Sequence, residues 1–137
     1  MSRFFGLFEG RSPPGIGAPG SRFAPPPRSP NCVTSLCEPA DTVHYIAPLA
    51  FRASPGEAWS ALLRMLRGLD RVSIVTERPG YLHAEFRSRL FGFVDDVEFA
   101  LDAPAGVIHV RSASRLGRSD LGVNRKRVER LRIQAAL

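Results

Sequence analysis

Apolar residues recur along this chain with two spacings, and each spacing predicts an element. Trp59, Leu62, Leu63 and Leu66 fall at helical intervals and give one apolar stripe, with Arg64 and Arg67 off it. Ser54-Pro55-Gly56-Glu57 precedes them as a helix start, with Ser54 as cap, Pro55 in the first turn and Glu57 as the far half of a capping box. Gly68 is a stop, so a helix is expected over residues 55–67 with Trp59 in the core. Before it, Val43 to Leu49 reads as a first strand. After it, period-two alternation marks four strands in succession. Val72, Ile74 and Thr76 alternate along the first, and Pro79-Gly80 turns the chain. Leu82, Ala84 and Phe86 oppose His83, Glu85 and Arg87 along the second. Phe93, Asp95, Val97, Phe99 and Leu101 oppose Val94, Asp96, Glu98 and Ala100 along the third. After a turn at Ala103 to Gly106, Val107 to Ser114 forms the fourth, with Ile108 and Val110 opposite His109 and Arg111. The chain closes with a helix from about Gly122 to Ala136, striped by Val128, Leu131 and Ala135.

Connections this short join antiparallel neighbours. The expected fold is therefore α+β, in the order β-α-β-β-β-β-α, with a single antiparallel sheet covered on one face by two helices. This order resembles the helix-grip and TATA-binding-protein-like folds, a likeness of architecture that assigns no function. Residues 41–137 are expected to form the domain. Residues 1–40 read as an extended arm, since eight of the twelve prolines lie between Arg11 and Pro39, with glycines between them. At the start of that arm, Phe4, Phe5 and Phe8 form a short aromatic cluster suited to docking on a partner or a membrane interface.

Charge adds a direction to this picture. The net charge is +6, and residues 111–137 account for it, with eight basic residues against Asp120 and Glu129. Such a basic C-terminus suits an acidic partner, an anionic membrane surface or nucleic acid. Lys126 is the only lysine, and the arginine preference is matched equally by recognition of planar anions and by a GC-rich genome. No apolar run reaches the roughly 20 residues of a membrane span. Met1 to Gly10 does not have the pattern of a signal peptide, so a cytoplasmic location, or one peripheral to the cytoplasmic face of a membrane, is expected.

Candidate chemistry is concentrated in two places. Asp95 falls on the apolar face of its strand, which leaves three readings: a structural pair with an arginine, a bulge at Gly92 to Asp96, or a proton-transfer carboxylate. Asp96, on the other face, is read as solvated or paired. Arg111, Ser114 and Arg115 end the last strand, and Asp120, Asn124 and Arg125 flank the start of the last helix, where a capping carboxylate or an outside anion is favoured. Arg115 or Arg125 is expected to clamp Asp120 or Asp95. Cys32 and Cys37 form a lone C-x4-C pair, read as reduced thiols; no metal or cofactor is expected. Metalloprotease, nucleophile-elbow, Walker and dinucleotide motifs are absent, and a triad from Ser114, a histidine and an aspartate would need coordinates to support it.

Three separated segments carry a family resemblance: Ser29-Pro30-Asn31-Cys32-Val33 with Thr34-Ser35; Gly92 to Phe99; and Arg111 to Gly117 continuing through Asp120 to Arg125. Together they resemble the bacterial and plastid family catalogued as domain of unknown function 1499. The resemblance implies that Cys32 belongs to an SPNCVS-type motif and that Asp95, Asp96, Arg111, Ser114, Arg115, Asp120, Asn124 and Arg125 are shared polar positions. Many relatives look membrane-anchored or exported through an added N-terminus. Where relatives often carry a cysteine-proline pair shortly before the motif, this chain has Pro25 to Pro27, which puts a disulfide to that cysteine in doubt.

The leading expectation is a non-catalytic binding or interaction protein. Its arm would attach it, as an accessory subunit, to a larger membrane-associated assembly, and its basic C-terminal surface would face negative charge. The alternative is a small-ligand binder, lipid-like or anionic, or a hydrolase. That reading places an apolar pocket between the sheet and the last helix, lined by Phe93 and Phe99 with Arg111 or Arg115 at its mouth. Nucleic acid is the least expected partner, since the strands offer no set of exposed stacking aromatics.

Overall fold

A computed structural model describes residues 23–117 and 120–137 of the chain. The aromatic cluster Phe4, Phe5 and Phe8 lies outside the described residues. Strands β1 (Cys32–Thr34) and β2 (Leu49–Ala50) are followed by α1 (Pro55–Arg67), β3 (Val72–Arg78), β4 (Tyr81–Arg87), β5 (Val94–Asp102), β6 (Val107–Ser114) and α2 (Val123–Ala135). All pair antiparallel in one six-stranded sheet of order β1-β6-β5-β4-β3, with β2 also on β6. The fold is α+β, with both helices on one face.

The expected first strand is corrected. Val43 to Leu49 is not a continuous strand: Tyr45 makes an isolated parallel bridge to Thr34, and only Leu49 and Ala50 pair with β6. The edge position is taken instead by β1, directly after Pro30, where the missing proline donor does not interrupt a ladder. The sheet thus begins inside the stretch that composition alone assigns to the arm.

The helix-facing side of the sheet carries Val33, Leu82, Val97, Phe99, Ile108 and Val110. They pack against Leu62 and Leu66 of α1 and Val128 and Leu131 of α2. Each of these large side chains contributes about 1.5–3 kcal/mol by leaving water. Ser54 caps α1, its hydroxyl accepting the Glu57 N–H at 3.2 Å and donating to the Glu57 carboxylate at 3.1 Å. Trp59, expected in the core, is only half-buried and packs on the core's margin; Ala58 occupies the buried position beside it. Alternation along β3 also breaks: a register shift between Ile74 and Thr76 places Thr76 opposite His83 and Glu77 opposite Leu82. That shift puts Glu77 on the helix side, where Arg67 of α1 donates to it at 2.8 Å.

Candidate functional site

Asp95 and Asp96 are adjacent on β5, so alternation sends their side chains to opposite faces of the sheet. Each becomes part of a separate network.

On the helix side, Asp95 accepts from Arg127 Nη2 at 2.6 Å. This is the structural pair, and β5 runs in regular register through Asp95 and Asp96 without the alternative bulge. Arg127 also lies over the Phe86 ring and donates to Asn124 Oδ1 at 2.8 Å. Asn124, fully buried at 0 % exposure, is the hub. Its Oδ1 also accepts from Ser112 at 2.6 Å, and its Nδ2 reaches Asp120 at 2.7 Å, Ser114 Oγ at 2.9 Å and the Asn31 carbonyl at 3.2 Å. Asp120 further accepts the backbone N–H groups of Gly122 and Asn124. Burial would raise the Asp120 carboxyl, but the Asn124 amide and these N–H groups hold it below the usual range. The start of α2 is therefore served by an internal carboxylate. Asn31 fastens the preceding chain here, donating to the Gly117 and Ser114 carbonyls.

On the other face, Arg115 grips Asp96 through Nε (2.7 Å) and Nη2 (2.9 Å), while Nη2 also reaches Glu85 at 2.6 Å. His83 Nε2 lies 2.7 Å from Asp96 Oδ1, and Tyr81 donates to Glu98 Oε2. Burial acts to raise Asp96, yet the Arg115 and His83 hydrogen bonds overcome it and leave this carboxyl below its ordinary value. For Glu98 burial wins: its carboxyl is raised, with the Tyr81 bond and the nearby Arg111 opposing only in part. Glu98 Oε1 and Arg111 Nη1, on paired positions of β5 and β6, are buried without a hydrogen-bond partner. Arg111 instead donates to the carbonyls of Ala24 (2.9 Å) and Pro25 (3.4 Å), so residues 24 and 25 lie over this face.

Several sequence expectations are corrected by this geometry. Arg115 clamps neither Asp120 nor Asp95, and Arg125 donates to the Val43 carbonyl at 3.2 Å. Ser114 bonds Asn124 and joins no histidine. The serine–histidine–acid line that does occur is Ser35–His109–Asp102, with Nδ1 3.1 Å from Ser35 Oγ and Nε2 3.2 Å from Asp102. Ser35 is buried and its hydroxyl accepts the Val110 N–H at 3.0 Å, so this line ties the chain after β1 to the β5–β6 turn. Cys32 and Cys37 are both free, and burial raises the Cys32 thiol to about 11, far from a reactive thiolate. Among the described residues no group of three His, Cys, Asp or Glu side chains is placed to hold a metal ion.

The pocket also differs from expectation. An open cleft of about 360 Å³ does lie between the sheet and the start of α2, with Phe93, Val94, Asp95, Leu116, Val123 and Arg127 in its wall. Phe99 is fully buried in the core instead, and Arg111 and Arg115 lie on the opposite face, away from its mouth. Around this end the β4–β5 and β6–α2 loops expose Leu90 (68 %), Leu116 (41 %) and Leu121 (86 %), and the first residue of α2, Val123, is exposed beside them (45 %).

His83, Glu85, Glu98, Tyr81 and Arg127 were not singled out by sequence. The signal for Arg127 was present: it lies one helical turn past Val123 and close to the stripe begun by Asn124 and Val128. The others sit on the strand face opposite the core, which ordinarily meets water.

Fold and site together define a class: a two-layer α+β domain in which the buried Asp95 and Asp96 are paired with arginines of the same chain, and in which several exposed apolar side chains border the start of α2. Residues 22–134 match the family model described as "Protein of unknown function (DUF1499)". The chain belongs to that family, as the three sequence segments implied. No curated protein matches it.

Proposed function

We propose that the protein is a non-catalytic binding module, an accessory component that docks on a larger membrane-associated assembly. The docking end is formed by the β4–β5 and β6–α2 loops with the basic flank of α2. One observation carries this reading: Leu90, Leu116, Leu121 and Val123 are exposed together at the end where α2 begins, while Asp95, Asp96 and Asp120 already have partners inside the chain. Apolar side chains gathered on neighbouring loops are a feature of interaction surfaces. In this reading the association is peripheral, with the aromatic cluster Phe4, Phe5 and Phe8 as a second attachment; no described helix is long and apolar enough to cross a membrane. The cleft beside Phe93 supports the ligand-binding alternative in the same place.

The test is co-fractionation of the full chain from native cells against a Leu90→Ser, Leu121→Asn variant. The full chain is expected in the membrane fraction and the variant in the supernatant. Identical partitioning of the two refutes the docking end.

A further inference from the structure

Beside the apolar cleft lies a second open hollow of about 360 Å³, and the two share Ser88 and Arg127 in their walls. Arg71, Arg87, Arg127 and Arg130 line this second hollow, and Asp70 is its only acid. Arg127 is already balanced by Asp95, and Arg87 donates to the Gly92 carbonyl at 3.4 Å. Arg71 and Arg130 are exposed and have no carboxylate partner among the described residues, so the hollow keeps an excess of positive charge. The backbone around this end is strained in a matching way. Arg71 (φ 59°), Phe91 (φ 66°) and Leu121 (φ 54°) hold left-handed conformations, one on each of the three loops that border the two hollows. Bulky side chains rarely adopt that region, and such outliers collect where a surface is built for contact.

An arginine-lined hollow flanked by exposed leucines on separate loops has the layering of a membrane interface. Phosphates lie at one level and acyl chains a short distance below, and guanidinium groups pair well with the former. We propose that this end binds the surface of an anionic phospholipid bilayer, with Arg71 and Arg130 receiving lipid phosphates while Leu90, Leu121 and Val123 enter the acyl boundary. The proposal rests on the docking end argued above and names its partner.

The experiment is sedimentation of the full chain with phosphatidylcholine vesicles, with and without phosphatidylglycerol. It is repeated for Arg71→Asn/Arg130→Ser, in which asparagine suits the left-handed backbone. The chain is expected to bind only the anionic vesicles, and the double variant, with an unchanged melting curve, to bind about 30-fold more weakly. Equal binding to both vesicles, no binding to either, or equal binding by the variant overturns it. So does release by inorganic phosphate where chloride of equal ionic strength has no effect, which would mark a free-phosphate site. If vesicle binding fails while Leu90- and Leu121-dependent co-fractionation persists, the partner is an acidic protein and only the lipid assignment falls. If both fail, the docking end falls too.

Discussion

Replacing Asn124 by alanine should cost this small domain a large share of its stability, and the structure sets the amount. The side chain is 0 % exposed, and its amide meets Asp120, Ser114, Asn31, Ser112 and Arg127. Two amide hydrogens cannot fully serve the three acceptors, so about four bonds are effective, two of them to charged groups. At about 1 kcal/mol for a neutral bond and about 1.5 kcal/mol for a charged one, their loss comes to about 5 kcal/mol. Asp120 keeps its backbone donors and Arg127 keeps Asp95, which brings the net expectation to about 3 kcal/mol, or roughly a 10 °C fall in Tm for a chain of this size. Trp59 is the only tryptophan and packs on the core's margin, so its fluorescence reports the unfolding, with circular dichroism as a second probe. Arg125→Ala, which loses one exposed bond to the Val43 carbonyl, is the control and should move Tm by no more than about 3 °C. If Asn124→Ala melts with the control, the hub is not a hub and the account of the α2 start is wrong.

Three further outcomes follow from the opposite face and the N-terminal segment. Asp96 is held below 3.8, so its contribution is present above that value and lost as pH falls through the folded pKa; Asp96→Asn should cost about 3–5 kcal/mol at neutral pH, since buried Arg115 and His83 lose their shared partner. Glu98 has the reverse sign. Raised above 4.5, it favours folding when protonated and loses that contribution as pH rises through its folded pKa, so Glu98→Gln should keep the Tyr81 bond, melt no lower than the parent at neutral pH, and flatten that part of the pH profile in urea titrations. A chain starting at residue 32 should melt well below one starting at residue 23, because it alone loses the Arg111 bonds to Ala24 and Pro25, the His44 bond to Ser29 and the Asn31 ties; equal melting would show that residues 23–31 add nothing.

What the sequence disclosed depended on how local each signal was. The spans of α1 and β6 follow from periodicity over a dozen residues or fewer with clear caps and turns. By contrast, Cys32-Val33-Thr34 is too short to show a period, and its proline-rich surroundings hid an edge strand that only its partner β6 defines. Asp95 was legible as a charge on an apolar face; helical spacing puts Arg127 beside the buried stripe of α2, but pairing the two also required the packing of α2 on β5. Arg115 was legible as a clamp and given the wrong acid. Alternation alone would have corrected this, because Arg115 continues the side of β6 that carries Arg111, and β5 presents Asp96 to that side. Asn124 was named as a polar position at the helix start, but its polarity hid its burial, although it lies one turn before Val128 in the same stripe. The burial of His83, Asp96 and Glu98 had no local signal, since these positions alternate with the core and ordinarily meet water.

The basic character of the chain takes on a different meaning once its acids are placed. Of the thirteen, Glu77, Glu85, Asp95, Asp96 and Glu129 pair with Arg67, Arg115, Arg127 and Arg132, and Asp41 bonds His44. Asp120 serves backbone N–H groups at the start of α2. Arg71 and Arg130, which border an open hollow, are among the basic groups left without a carboxylate partner among the described residues. Screening in physiological salt confines such charge to roughly 8 Å, too short for a diffuse attraction to hold a partner in place. Whatever neutralises these arginines must come into contact with them, and the exposed leucines beside them add a contribution that salt does not screen. Binding at this end should accordingly weaken with salt but level off above zero, whereas binding carried by charge alone would continue to fall.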